Sequence, residues 1–370
     1  MPTGPRLNPP FRADHVGSLL RPRALKQAFR DFGAGDAAAG AFREILDQCV
    51  RGAVALQESV GLESITDGEF RRGSYWSHFV DAIEGMAIKE SLFQFRDADG
   101  VLMNFTAPHV AGRVHRKYGI GTDAFAFLKS VTRRTPKVTM PSPSTMHFWR
   151  GRAGIEPAAY SDAEEFFADL ARIYREEVAD LATAGATYLQ IDEVPLAMLC
   201  DPNVRESVAA RGEDPERLTT CYIEAINSAL DERPQNVAAT MHLCRGNYKG
   251  RWVSEGGYDT VAERLFNEAK VDAFFLEYDT PRSGDFAPLR FVPRDRLVVL
   301  GLVSTKSPAL ESKDALRRRI DEAARFVALD QLALSPQCGF ASTVAGNPLS
   351  EDDERRKLAL VVEVARAVWG

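Results

Sequence analysis

Short apolar runs alternate along the chain with longer segments in which apolar residues recur every three to four positions. The short runs predict strands around Asp14–Ser18, Ser64–Glu69, Lys137–Pro141, Tyr188–Glu193, Val237–Cys244, Ala273–Tyr278, Leu297–Val303 and Gln331–Cys338. Several are continuous Val, Ile, Leu and Phe, as in strands covered on both faces. The longer segments predict helices over Phe42–Val60, Ala163–Ala184, Leu218–Glu232, Tyr258–Ala269, Lys313–Ala328 and Asp352–Trp369, with N-caps at Ser161-Asp162 and Ser350-Glu351. Eight strand–helix units in 370 residues predict an α/β fold, a (β/α)8 TIM barrel in a single domain spanning 1–370. A doubly wound open sheet is the alternative, but no GxGxxG follows any strand.

One stretch breaks the alternation. Gly85–Lys129 contains LFQFRDADGVLMNFTAPHVAGRVH, which alternates like strands about the turn signal Asp99-Gly100. It predicts a strand-containing insertion after the second strand, over about 85–130, on the face where the strands end.

Composition narrows the class of protein. Hydrophobic residues make up 45% and charged residues 26%, which is ordinary for a globular protein. The net charge of −6 and the lack of a basic stripe argue against nucleic acid as a partner. The N-terminal MPTGPRLNPPFRADHVGS has no apolar signal core, and no run is long enough to span a membrane. Five scattered cysteines do not make a disulfide framework, so a cytoplasmic setting is expected. Oligomeric state, monomer or homodimer, is left open.

In a βα barrel the reactive groups gather where the strands end. Here those ends carry His15 and Ser18, Asp67 and Glu69, Asp192 and Glu193, His242 and Cys244, Glu277 and Asp279, Ser304 and Lys306, and Cys338. Residues i and i+2 of a strand face the same way, so His242 and Cys244 can address one ion. Imidazole plus thiolate suits zinc, with Glu277 and Cys338 able to reach the same point from other strands. Cys49, Cys200 and Cys221 lie in helical or loop contexts and read as packing residues.

The motifs DHVGS, TDGEF, TMHFW, QIDE, MHLC, LEYD and SPQCG, in this order, resemble the cobalamin-independent methionine synthase superfamily. The likeness is to its C-terminal catalytic barrel, and more closely to its short single-barrel members. The resemblance implies zinc ligands at His242, Cys244, Glu277 and Cys338. It implies a homocysteine site at Ser18, Glu69 and Asp192, with Asp192 also counted as catalytic, and a folate-stacking aromatic at Trp149. The strand-seven histidine that relays a proton in the family is replaced in GLVSTKSP, where Lys306 takes its place as a catalytic candidate. Arg71, Arg72 and Lys306 are candidates for holding a carboxylate or sulfonate.

The resemblance implies a zinc-dependent methyltransferase that alkylates a small thiol such as homocysteine. The methyl or alkyl donor is folate or another carrier. Three alternatives stand beside it: an epoxide:thiol transferase with the same zinc–thiolate chemistry, a methyltransferase working with a corrinoid partner, and a non-catalytic zinc-binding barrel.

Overall fold

The structure, a computed structural model, describes residues 6–96 and 102–370. The turn signal Asp99-Gly100 lies outside the described residues. The strands are β1 (Ser64–Ile65), β2 (Ile83–Glu90), β3 (Phe95–Arg96), β4 (Leu102–Met103), β5 (Thr106–Arg116), β6 (Thr135–Pro136), β7 (Val138–Pro141), β8 (Tyr188–Glu193), β9 (Ala238–Leu243), β10 (Ala273–Glu277), β11 (Leu297–Val303) and β12 (Leu332–Pro336).

Six of them form one parallel sheet in the order β12-β11-β10-β9-β8-β7. Just upstream of β7, β6 pairs in parallel with β1. The Asp14 segment reaches β12, since Asp14 N donates to Leu334 O (3.0 Å) and Leu334 N to Arg12 O (2.9 Å). It meets the β1 segment through Leu19 N to Gly68 O (3.1 Å) and Thr66 Oγ1 to Gly17 O (2.6 Å). These contacts close the ring, and the fold is of the TIM-barrel type.

The first two strands are shorter than their sequence predicts, and side chains account for it. The first is only a bridge at Ala13. Beyond it the Asp14 carboxylate accepts from His15 N (2.8 Å), and Gln190 Nε2 donates to Val16 O (2.6 Å). The second stops at Ile65 because buried Gln57 takes both backbone groups of Thr66, each at 2.9 Å. Local side-chain bonds of this kind compete directly with a ladder.

The helices follow the predicted phases. Ala163–Ala184 starts and ends as predicted, with Asp162 Oδ1 accepting from Glu165 N (2.8 Å). A cap of this kind contributes about 1 kcal/mol. Glu351–Trp369 is capped by Ser350 and packs on Ala39–Val60, Leu358 and Val362 meeting Leu46, Val50 and Val54. Within the stretch predicted as an insertion, β2 and β5 form an antiparallel pair, but Thr122–Val131 is a helix. It packs between Ala39–Val60 and Ala163–Ala184 and so serves as the outer-layer helix of the second strand. The stretch alternated strongly enough to hide that one short helical phase. Among the described residues no helix is long and apolar enough to cross a membrane.

A polar knot fills the N-terminal end of the barrel. Asp14 accepts from Tyr188 OH (2.7 Å), Ser64 Oγ (2.7 Å) and Lys137 Nζ (3.2 Å), and Lys137 also donates to His15 O (2.6 Å). Lys137 and Asp14 are wholly buried, and the ammonium stands 4.1 Å from the Phe275 ring centre. Removing one partner of such a pair costs about 3–5 kcal/mol, because the other charge is then stranded. The knot closes one end of the barrel, so the chemistry lies at the other.

Candidate metal centre and substrate cavity

A cavity of about 580 Å³ opens at the C-terminal ends of the strands. Ser18, Glu69, Trp149, Asp192, His242, Cys244 and Cys338 all line it, and Ile88 and Phe105 of the β2–β5 region form part of its wall.

His242 lies next to last in β9, and Cys244 follows the strand, so both side chains turn toward the barrel axis. Glu277 ends β10, and Cys338 lies two residues beyond β12. All four are buried, and one donor atom from each lies within 4.8 Å of the others. The Cys244 and Cys338 sulfurs are 3.4 Å apart. Both ring nitrogens of His242 and Glu277 Oε1 are buried without a hydrogen-bond partner. Buried polar atoms are nearly always paired. Two orphaned donors, an imidazole and a carboxylate oxygen, converging with two thiols therefore fit a metal ion. Tetrahedral zinc at ~2.0–2.3 Å from N, O and S separates its donors by roughly 3.3–3.8 Å, which this cluster reaches with small movements.

Electrostatics agree with shared protons. Cys338 is held well below an ordinary thiol by the hydrogen bond from Cys244 and by His242 beside it, while that bond and burial push Cys244 up. Burial works against a charge on His242, but the adjacent Cys338 sulfur, Asp192 and Glu277 outweigh it and raise its pKa.

Next to the cluster stand two carboxylates. Glu69 has a left-handed backbone (φ 60°), next to Gly68 (φ 69°) in TDGEF. The strain is held by Asp67 Oδ1, which accepts from Glu69 N (2.8 Å), and by Arg21 Nη2, which donates to Glu69 O (2.9 Å). Glu69 Oε1 accepts from Thr139 Oγ1 (2.8 Å), and Asp192 Oδ1 from Gln190 Nε2 (2.7 Å). Burial raises both, and the Glu69 charge helps push Asp192 to about 7. Two buried carboxyls side by side resist ionising together, and Arg72 Nη1 stands 3.7 Å from Glu69 Oε2.

Ser18 Oγ accepts from Ala341 N (3.3 Å) and is pressed by Gly339. A Cβ on Gly339 would stand 1.9 Å from that oxygen, so only glycine fits beside the cysteine at 338. Trp149 is 3% exposed and meets Phe105 edge to face at 5.0 Å, with its Nε1 unpartnered. Lys306 Nζ is buried without a partner, and its charge acts on both Cys244 and Cys338.

Arg71 does not face the cavity. It pairs with Asp47 of the outer helix and lies 4.8 Å over the Phe127 ring. Its neighbour Arg72 turns inward instead, donating to Thr139 Oγ1 (2.9 Å) and O (2.7 Å) near Glu69. The tight turn at Gly68 and Glu69 decides which arginine points where.

Sequence reasoning missed three groups around Glu277. Tyr258 OH accepts from Glu277 N (2.9 Å), and Arg245 and Arg282 reach Glu277 Oε2 at 3.9 and 3.5 Å. Only Arg245, adjoining Cys244 in HLCR, carried a signal.

Comparison with known proteins places the chain. A family described as the catalytic domain of cobalamin-independent synthase matches residues 11–367. The uncharacterized proteins YxjH and YxjG of Bacillus subtilis are 41% and 40% identical to it, over 97% and 98% of this chain and 95% and 96% of theirs. A putative vitamin-B12-independent methionine synthase from Listeria monocytogenes superposes with a TM-score of 0.76 at 33% identity, over 99% of this chain and all of its own. A B12-independent methionine synthase from Shewanella sp. W3-18-1, solved with selenomethionine, shares the fold with a TM-score of 0.75 at 20% identity, over 96% of this chain and 97% of its own.

Proposed function

The chain belongs to the family of cobalamin-independent synthase catalytic domains, and on that premise we propose that it transfers a methyl group to a small thiol of the homocysteine type. His242, Cys244, Glu277 and Cys338 would hold the zinc ion. The observation that carries this reading is the set of four converging buried donors, the imidazole and the Glu277 oxygen among them without hydrogen-bond partners, beside two buried carboxylates. A zinc ion there would bind the substrate sulfur as thiolate at neutral pH, where a free thiol of pKa ~8.5 is mostly protonated.

The protein supplies the rest. Glu69 and Asp192 hold the substrate ammonium, which compensates their mutual repulsion. Thr139 and Gln190 orient those carboxylates from the layer beneath. Ser18 bounds the substrate's polar end. Trp149 and Phe105 wall the side from which the alkyl donor approaches and keep water from it. The sulfur–carbon bond forms as the donor's bond to that carbon breaks, and the departing group keeps the electron pair. Lys306, with an unpaired ammonium near the cysteines, supplies the proton that the departing group takes up.

The test is product formation. Zinc-loaded protein is incubated with L-homocysteine and, in separate reactions, methyltetrahydrofolate, methylcobalamin and S-methylmethionine, and methionine is read by mass spectrometry. Methionine from any donor supports the reading. No methionine from any of them, with no uptake of thiol by the loaded protein, contradicts it.

A further inference from the structure

Glu277 sits between two alternatives. One oxygen, Oε1, is unpartnered and belongs to the donor cluster, while the other, Oε2, lies 3.5 Å from Arg282 Nη2 and 3.9 Å from Arg245 Nη1. Neither contact has closed to the ~2.7–2.9 Å of a charge-assisted hydrogen bond. Both guanidinium groups are held firmly. Arg245 is wholly buried, lies 4.1 Å over the Tyr258 ring, and donates to Tyr258 OH (2.8 Å) and Gly256 O (3.0 Å). Arg282 is 7% exposed, stacks 4.9 Å over Trp252, and is shared with Asp279 at 3.5 Å. Arg245 Nη2 has no partner at all. Each contact is within about 1 Å of full bonding distance.

We propose that Arg245 and Arg282 form a cradle that receives the Glu277 carboxylate when a substrate thiol takes its place among the donors. The idea rests on the metal-held thiol proposed above and names what makes room for it. With four protein donors on a tetrahedral ion no position would be left open, so one donor would yield to an entering thiol. The His242 ring nitrogens have no hydrogen-bond partner outside the cluster, and the two cysteines face each other and His242. Glu277 alone has two cationic forks beside it. The arginines are thus positioning residues that act through Glu277. They weaken its hold on the metal without leaving a bare buried anion, which would cost several kcal/mol.

The test measures metal and thiol separately. Zinc affinity without thiol is read by competition with a chromophoric chelator. Binding of L-homocysteine and of 3-mercaptopropionate to the loaded protein is read by calorimetry. For Arg282→Gln the cradle predicts unchanged or tighter zinc and roughly ten- to a hundredfold weaker binding of both thiols, as expected for a lost charge-assisted bond. The loss is equal for the two thiols because the cradle acts at sulfur and not at the amine. Unchanged thiol affinity, or looser zinc with thiol affinity preserved, overturns the proposal and leaves the arginines as mere neutralisers of a buried carboxylate. Should Arg282→Gln fail to fold, Arg282→Lys carries the test, with a smaller loss for both thiols expected and no loss contradicting it. A native protein that takes up no zinc, or a loaded one that binds neither thiol, sinks the proposed function itself.

Discussion

Cys244 Sγ and Cys338 Sγ lie 3.4 Å apart although 94 residues separate them along the chain. Nothing in packing requires two buried thiols to meet at the mouth of a barrel. Cys338→Ser should cut zinc affinity by more than the ~10–100-fold that losing an outer-shell partner costs. Circular dichroism should stay native, because the change replaces one atom beyond the end of β12 and leaves the strand pairing intact. Full zinc retention in this variant would remove Cys338 from the ligand set.

Gln190 offers one amide nitrogen to both Val16 O and Asp192 Oδ1, and its own Oε1 is unpartnered. It holds the carboxylate toward the cavity. Gln190→Leu should raise KM for L-homocysteine roughly five- to a hundredfold, the equivalent of ~1–3 kcal/mol for a buried bond, while kcat changes little. Binding of 3-mercaptopropionate, which lacks the amine, should hardly change. Equal losses for both thiols would mean that Gln190 supports the barrel and not the amine site.

Gly339→Ala tests the contact between the last strand end and Ser18. The new methyl would stand 1.9 Å from Ser18 Oγ and 3.1 Å from its Cβ. Overpacking of this kind costs about 1–3 kcal/mol, and Ser18→Gly in the same chain should restore most of it. The readout is thermal unfolding of the two single variants and the double. Strict additivity would refute the contact.

Glu354 gives a pH dependence with a definite sign. Burial raises its pKa to about 8, and its carboxyl accepts from Leu20 N (2.8 Å). The folded state keeps the proton that the unfolded state releases near pH ~4.3. Its contribution is therefore most favourable below that pH and is lost as pH rises toward 8. The slope approaches ~1.4 kcal/mol per pH unit in that window. Glu354→Gln keeps an acceptor for Leu20 and removes the titration. Urea unfolding at pH 5 and pH 8 should show the variant gaining on the native protein by a few kcal/mol between the two. A constant difference would show that the carboxyl titrates normally.

How much of this was legible in the sequence differs by element. The strands from Lys137 onward and the long helices could be placed because burial on both faces, or on one stripe, writes itself into the spacing of apolar residues. The first two strands were overdrawn because the side chains of Asp14, Gln57 and Gln190 occupy backbone groups that a ladder would use. The meeting of His242, Cys244, Glu277 and Cys338 was legible because strand parity and barrel topology bring strand ends together. Which of Arg71 and Arg72 turns inward was not legible, because no periodicity tells which of two adjacent arginines follows the left-handed turn at Glu69. Arg282 and Tyr258 were invisible, since their role depends on loop geometry around Glu277.

The most direct test of the central claim is a thiol titration of the cobalt-substituted protein, loaded to a measured metal content. The expected result is about one metal per chain and a visible spectrum that gains thiolate-to-cobalt absorption with L-homocysteine but not with methionine. A protein that holds no stoichiometric metal, or a spectrum that no thiol alters, would leave the barrel standing and contradict thiol activation at His242, Cys244, Glu277 and Cys338.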